Sequence, residues 1–410
     1  RKLTPMLHLR MRLPGTVRSV CVMAYLLAWF GVGFLPLNGT DVDQFFRPSA
    51  EAMIHDPLSP YVAAGHSAYP NANGPLALLP LALLLEVERA LGVTPSGHLA
   101  RAITLAAFSV FILLMAREGV RVVERARGSL SGRERLVVYG VLTLGPTIWQ
   151  GNGGYGHIEQ PIETWLILLG ARWLLDERPL AAGLAVGLAV LARSPAVLFL
   201  VPLTLAARHH RVRDAALLVV SAAATGLAGI LPFLLADRVD VVHSLVTYRG
   251  SLLVGVGSIW TLARGTALES FAQHADVVFI LAVVTASSAW LSRRSGGLVG
   301  SRLYAALALA AAAFALLAKT VWPYYFFEVY VLASTWALAR AGAEPVDVAR
   351  RWLAVALVAV NALLAEVGAT PGVPVAVDRL EGAVGFLLLG AAAWIMLRLA
   401  GSQPAVKPDR

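Results

Sequence analysis

Residues 215–235 read A-A-L-L-V-V-S-A-A-A-T-G-L-A-G-I-L-P-F-L-L, without one charged side chain. A run of this length matches the roughly 30 Å of a bilayer core, which a helix of about 20 residues crosses. It is far longer than a barrel strand and lacks strict alternation, so a transmembrane barrel is excluded. The runs Val20–Phe30, Val277–Leu291 and Leu303–Leu317 have the same character. In lipid the backbone satisfies its own polar groups only in helices or closed barrels. Of the 410 residues, 58% are hydrophobic and 14% charged, against about a quarter charged in a soluble domain. The sequence therefore predicts an all-α polytopic membrane protein, with residues 1–410 forming one integral membrane domain.

The net charge of +9 comes from arginine clusters between the apolar runs. That is the pattern of cytoplasmic loops, not of a nucleic-acid interface. Cys21 is the single cysteine, so neither a disulfide framework nor a thiolate metal site can form within one chain. The start, R-K-L-T-P-M-L-H-L-R-M-R, is basic and precedes an apolar run with no small-residue cleavage site, which reads as a retained anchor. Basic segments at 1–18, 117–135, 208–214, 293–302 and 340–351 are assigned to the inside. The first span, 19–36, then leaves the membrane outward, and residues 37–98 form an exterior loop. To keep 117–135 inside, the stretch P-L-A-L-L-P-L-A-L-L-L-E-V-E-R-A (75–90) must not cross. It reads as a juxtamembrane helix on the outer face, with Glu86 and Glu88 on its polar side. Spans follow near 99–117, 136–149, 161–176, 180–192, 195–207, 215–236, 275–292, 301–318, 326–340, 352–367 and 382–400, about 12 in all. The spans 180–192 and 195–207 are short, and they meet at Arg193.

The predicted outer ends collect the chemistry. The first loop reads N-G-T-D-V-D-Q-F-F-R-P-S-A-E-A-M-I-H-D-P-L-S-P-Y (38–61) and later Y-P-N-A-N-G-P (69–75). Asp41 and Asp43 stand where the first helix leaves the membrane, a costly place for a carboxylate unless it faces water or a cleft. Helix capping is the plain alternative for Asp41. His157 and Glu159 come from G-N-G-G-Y-G-H-I-E-Q-P (151–161), with Glu163 one turn on; Arg249 lies in the 237–274 segment. A structural hydrogen bond is the plain reading of His157, and snorkelling to headgroups that of Arg193. Lys319, Trp322, Tyr324 and Tyr325 belong to A-K-T-V-W-P-Y-Y-F-F-E (318–328), where an interfacial aromatic belt is the plain reading. Acids, histidines and cations on one side suit a base acting on a hydroxyl while cations hold a departing phosphate. Zincin spacing, a Gly-rich phosphate loop and a G-x-S-x-G elbow are all missing from the sequence. No motif demands a cofactor.

These motifs, in this order over about residues 20–330, resemble the C-type (GT-C) membrane glycosyltransferases, in particular glycosyltransferase family 87. The carriers are T-D-V-D-Q-F-F-R-P-S-A-E-A-M with P-Y at 60–61, and Y-P-N-A-N-G-P, where Asn71 replaces the family's second proline. G-H-I-E at 156–159 is similar to the family's G-Q-x-D/E. A-A-G-L-A-V-G-L-A-V-L-A-R-S-P-A-V-L-F-L-V-P (181–202) resembles its glycine-rich short-helix hairpin, with Arg193 in place of the usual lysine. W-P-Y-Y-F-F (322–327) is like its late aromatic motif. The resemblance implies a GT-C-like bundle with exterior juxtamembrane helices, and a donor that is a polyprenyl-phosphate sugar, mannose in part of the family. It makes Asp41 the general base and Asp43 its assistant, or a divalent-metal ligand in members that use one. Tyr69, His157, Glu159, Arg193, Arg249, Lys319, Trp322, Tyr324 and Tyr325 become substrate-binding candidates, Arg193 and Lys319 for the lipid phosphate. The acceptor would be a lipid-linked or cell-envelope glycan, the membrane lipids the surroundings, and the location the outer face of a bacterial plasma membrane. A transporter or flippase of a lipid-linked envelope precursor is the second reading. It would place charges near the midplane and show repeat symmetry.

Overall fold

The computed structural model describes residues 15–35, 41–61, 71–94, 97–295, 297–340, 344–370 and 372–402. Among them the structure is helical, without a named strand, and one isolated parallel bridge joins Gly255 to Thr320. The main helices are α1 (Gly15–Val32), α2 (Arg47–His55), α3 (Leu78–Ala90), α4 (His98–Arg127) and α5 (Gly132–Leu144). They continue as α6 (Glu159–Leu175), α7 (Pro179–Ala192), α8 (Leu200–His210), α9 (Val212–Ala236) and α10 (Glu269–Ser295). The last four are α11 (Ser301–Leu317), α12 (Phe326–Leu338), α13 (Pro345–Ala369) and α14 (Val375–Gly401). Five of these, α4, α9, α10, α13 and α14, are long and apolar enough to cross a membrane. Shorter apolar helices lie at Ser19–Val32, Pro179–Ala192, Ser194–Arg208 and Ser301–Leu317.

Helix α11 is the centre of the bundle. Its sequence, S-R-L-Y-A-A-L-A-L-A-A-A-A-F-A-L-L, is buried on nearly all sides. Alanine makes that feasible, because in lipid helices associate by close backbone approach instead of by expelling water. Around it stand α10, α12 and α14, and α13 packs on both α12 and α14. On the other flank α7 lies between α6 and α9. Gly183 and Gly187, four apart on α7, face the Leu218 and Ala222 carbonyls of α9, and a side chain at either would collide with them. The outer sides of α9 and α10 expose Val220, Leu227, Leu235, Val277 and Val278, apolar side chains suited to lipid.

Three expectations need correction. The inside loop drawn at 117–135 is mostly helix, since α4 continues unbroken to Arg127. No Gly–Pro break interrupts R-E-G-V-R-V-V-E-R-A-R, and its charges find partners: Glu118 pairs with Arg172, and Arg125 with Asp176. Likewise α10, α13 and α14 begin six to seven residues before the spans drawn for them, because hydropathy marks only the apolar part of a helix. Glu88 is not on a polar outer face of α3. It is buried and accepts two hydrogen bonds from Arg47, at 2.9 and 3.3 Å, which lock α3 to α2. Glu86 is exposed as expected and pairs with Arg89 at 3.0 Å, and the exposed side of α3 also carries the apolar row Leu79, Leu83, Val87 and Leu91 at its end.

The short-helix pair around Arg193 has the anticipated form. α7 stops at Ala192, Arg193 is extended, and a 3-10 turn with Pro195 runs over Ser194–Phe199 into α8. Residues 71–77 of the first loop dock there, with Leu76 N–H donating to the Leu191 carbonyl at 3.0 Å. Tyr61 anchors the same loop by donating to the Asn73 carbonyl and by edge contact with Phe233.

Candidate active site

The site begins with how α1 is held. Trp29 on α1 stacks on Trp149 with centroids 4.4 Å apart. Gly153 lies beneath the same indole, where an added Cβ would come within 3.1 Å of the ring. The turn that receives α1, Trp149–Tyr155, is wound as a π-helix, and so are residues Val42–Phe46 just after Asp41. Such wide turns displace a side chain from the regular helical path and are frequent at functional sites. Asp41 stands at the start of its π-turn and makes no capping hydrogen bond, so capping is not what this carboxylate does.

Gly156 completes the junction. Its φ is +78°, and a Cβ would lie 2.7 Å from Cγ2 of Val42. Only glycine combines that left-handed backbone with that approach. The result brings together residues 116 positions apart. His157 Nε2 lies 2.8 Å from Asp41 Oδ2, and His157 Nδ1 lies 2.6 Å from Glu159 Oε1. With a carboxylate on each nitrogen, both positions are donors and the ring is an imidazolium. Burial opposes that charge, but the Glu159 charge and the hydrogen bonds to Asp41 and Glu159 prevail and push the imidazole up to about 9. Tyr324 stacks on the imidazole with ring centroids 3.5 Å apart, and the edge of Phe46 closes the other side.

This charge makes stability depend on pH. The folded-state value of about 9 lies above the ordinary 6.5, so the contribution is complete below about pH 6.5 and is lost as the pH rises through about 9. The difference corresponds to ~3 kcal/mol. Thermal unfolding followed from pH 6 to pH 10 is expected to fall more steeply for the natural protein than for His157→Asn. Parallel curves would remove the imidazolium.

Below His157 the chain of charges continues inward. Glu159 Oε1 is 3.7 Å from Arg193 Nε, and Arg193 Nη1 reaches Glu163 Oε2 at 3.5 Å and Glu328 Oε1. The guanidinium also lies over the rings of Tyr325 at 5.4 Å and Phe314 at 6.0 Å. Exposure orders the set: the Asp41 side chain is 16% exposed, His157 9% and Glu159 0%. Asp41 is thus the mouth of the assembly. Its Oδ2 is taken by His157, whereas Oδ1 makes no hydrogen bond among the described residues.

Asp43 faces elsewhere. Its two oxygens lie 3.2 Å from Arg47 Nε and 3.1 Å from Arg101 Nη2, so it ties the loop to α2 and α4. A divalent ion does not fit between Asp41 and Asp43, since it would have to displace both guanidiniums. Among the described residues no group of three or more His, Cys, Asp or Glu side chains is arranged to hold a metal ion. Lys319 is also engaged: Nζ donates to the Gly250 carbonyl at 2.7 Å and the Gln273 carbonyl at 3.2 Å. It braces the 250–257 segment against α10, and burial lowers its pKa. Trp322 lies parallel to Tyr324 with centroids 6.4 Å apart. Tyr69 and the side chain of Arg249 lie outside the described residues.

No family model matches the chain, and no curated protein matches it. Among solved structures it is similar to the oligosaccharyltransferase of Archaeoglobus fulgidus. Against the apo form the TM-score is 0.39 at 17% identity, covering 96% of this chain and 57% of that one. Against the form tethered through a disulfide bond to an acceptor peptide containing the NVT sequon, it is 0.36 at 15% identity, covering 97% and 57%. The chain therefore spans 57% of the length of those proteins.

Two carboxylates near the site were not singled out as candidates from the sequence. Glu328 follows two phenylalanines and reads as part of an aromatic motif, though a carboxylate inside an apolar run is itself a signal. Glu366 stands near the end of α13 and accepts from the Tyr155 hydroxyl at 2.9 Å and from Gln150 Nε2. It too is a carboxylate inside an apolar run, the drawn span 352–367, and carries the same signal. On the apolar side, a cavity of about 600 Å³ opens beside the 259–268 segment, lined by Ile259, Trp260, Leu262, Phe279, Leu317 and Phe386 among others.

Proposed function

We propose that the chain is an integral membrane glycosyltransferase. It moves a sugar, mannose by the family resemblance, from a polyprenyl-phosphate donor to a lipid-linked or envelope glycan on the outer face of a bacterial plasma membrane. The observation that carries this reading is Asp41. One of its oxygens is fixed by an imidazolium that Glu159 fixes in turn, and the other makes no hydrogen bond among the described residues. A base needs that pairing of orientation and access, with the reacting hydroxyl within hydrogen-bond reach. Asp41 takes the proton from the acceptor hydroxyl as its oxygen bonds to the anomeric carbon. The bond from that carbon to the phosphate oxygen breaks, and its electron pair leaves with the polyprenyl phosphate. A single displacement inverts the anomeric centre. Asp43 assists by holding the loop that carries Asp41. A phosphate grip by Arg193, as the resemblance implies, exchanges part of its carboxylate shell for the phosphate, with the Tyr325 ring against the same guanidinium. The apolar cavity has the chemistry to take hydrocarbon from the lipid carrier.

Incubation of the purified protein with labelled polyprenyl-phosphate mannose and an envelope lipid extract tests the reading. Label in a new lipid is expected. A protein that passes no hexose from any polyprenyl phosphate to such an extract is not this enzyme.

A further inference from the structure

Beside the Asp41–His157 pair the structure holds a second polar group that the transfer chemistry leaves unused. Tyr155 ends the π-turn, and its ring meets Tyr324 edge-on at 5.3 Å. Tyr324 in turn covers His157. Glu366 lies on the far side of Tyr155. Its Oε2 accepts from the phenol, its Oε1 from Gln150. Unlike Glu159, Glu163 and Glu328, which are buried, it is partly exposed. A carboxylate offers about four acceptor positions, and two here are occupied.

Pinning α13 to the π-turn does not account for Glu366. Gln150 Nε2 already makes that tie by donating to the Ala362 carbonyl at 3.0 Å. Burial, the Glu366 charge and hydrogen bond, and the Asp41 charge all raise the pKa of the Tyr155 phenol, which keeps it a donor. Glu366 is the carboxylate that this hydroxyl contacts.

An aromatic face with a carboxylate at its edge suits one class of ligand, the pyranose. The C–H face of the sugar rests on the ring, and two neighbouring hydroxyls donate into the charged acceptor. We propose that Glu366, with Tyr155 and Tyr324, forms a hydroxyl-holding subsite that receives the vicinal diol of a hexopyranose beside Asp41. The subsite deepens the transferase reading and rests on it for its role, but binding alone tests it.

The test is saturation-transfer NMR on the purified full chain in detergent, with methyl α-mannopyranoside, methyl α-glucopyranoside and a 2,3-dideoxy glycoside as probes. The natural protein is expected to give comparable signals for the first two and none for the dideoxy probe. Glu366→Gln and Tyr155→Phe should lower the signals at least fivefold with unchanged thermal midpoints, and Glu366→Asp should fall between. Unchanged signals in Glu366→Gln and Tyr155→Phe, or lowered midpoints with sugar signals intact, would reduce the pair to a structural clamp and overturn the proposal. The same follows if the natural protein binds neither glycoside. Binding that depends on Glu366 in a protein without transfer activity removes the enzyme reading and leaves the subsite. Transfer that is indifferent to Glu366 does the reverse.

Discussion

Asp41→Asn should lower the transfer rate by about 10²- to 10⁴-fold, the range a positioned general base supplies. The amide oxygen still accepts from His157 Nε2, so the 2.8 Å contact and the local fold persist, and the thermal midpoint should stay near that of the natural protein. On the proposed reading the proton acceptor alone is lost. Turnover measured with saturating donor and acceptor decides the matter. A variant retaining more than a third of the natural turnover would show that another group takes the proton. His157→Asn should act more mildly, through the placing of Asp41, and should change the pH profile as well as the rate.

The second large effect concerns folding. Arg193 is 2% exposed and is the only cation in contact with Glu163 and Glu328 among the described residues. Removing one partner of a buried pair costs about 3–5 kcal/mol, because the other charge stays behind. Here Glu163 and Glu328 would both lose their cation, while Glu159 would keep His157. With total stabilities of about 5–15 kcal/mol, Arg193→Ala is expected to yield little folded protein, or a midpoint lowered by 10 °C or more. Adding Glu328→Gln should restore part of the loss, and the double-mutant cycle should show coupling above 1 kcal/mol. An Arg193→Ala protein with an unaltered midpoint would mean that the charges are hydrated and the network is not structural. Donor affinity can then be compared in Arg193→Lys, which keeps the charge but not the planar fork.

The sequence made some parts of this arrangement legible and hid others for physical reasons. Long apolar runs announce helices, because lipid leaves the backbone no other option. The meeting of two short helices at Arg193 could be read from a cation and a proline between apolar stretches. His157 and Glu159 declared themselves by following a glycine-rich turn. The separate fates of Asp41 and Asp43 could not be read, since they depend on Arg47, Arg101 and His157 arriving from different elements. Lys319 was a phosphate-ligand candidate through the family resemblance, yet its partners are the carbonyls of Gly250 and Gln273, which carry no sequence signal at all. The role of Glu366 was hidden for the same reason: it comes from Tyr155, two hundred and eleven positions away. Hydropathy also misplaced helix ends, as in α4, where ion pairs rather than apolar residues prolong the helix to Arg127.

The contact between Trp29 and Trp149 bears on how the protein is made. A ribosome delivers Asp41 with the first helix, long before His157 and Glu159 leave the exit tunnel. Until the π-turn emerges and the indoles meet, the carboxylate has no imidazole beside it. The pair thus forms only when a helix already in the membrane is captured by one inserted after it. Chains arrested before that turn emerges therefore lack the Asp41–His157 pair, however well their first helix is seated.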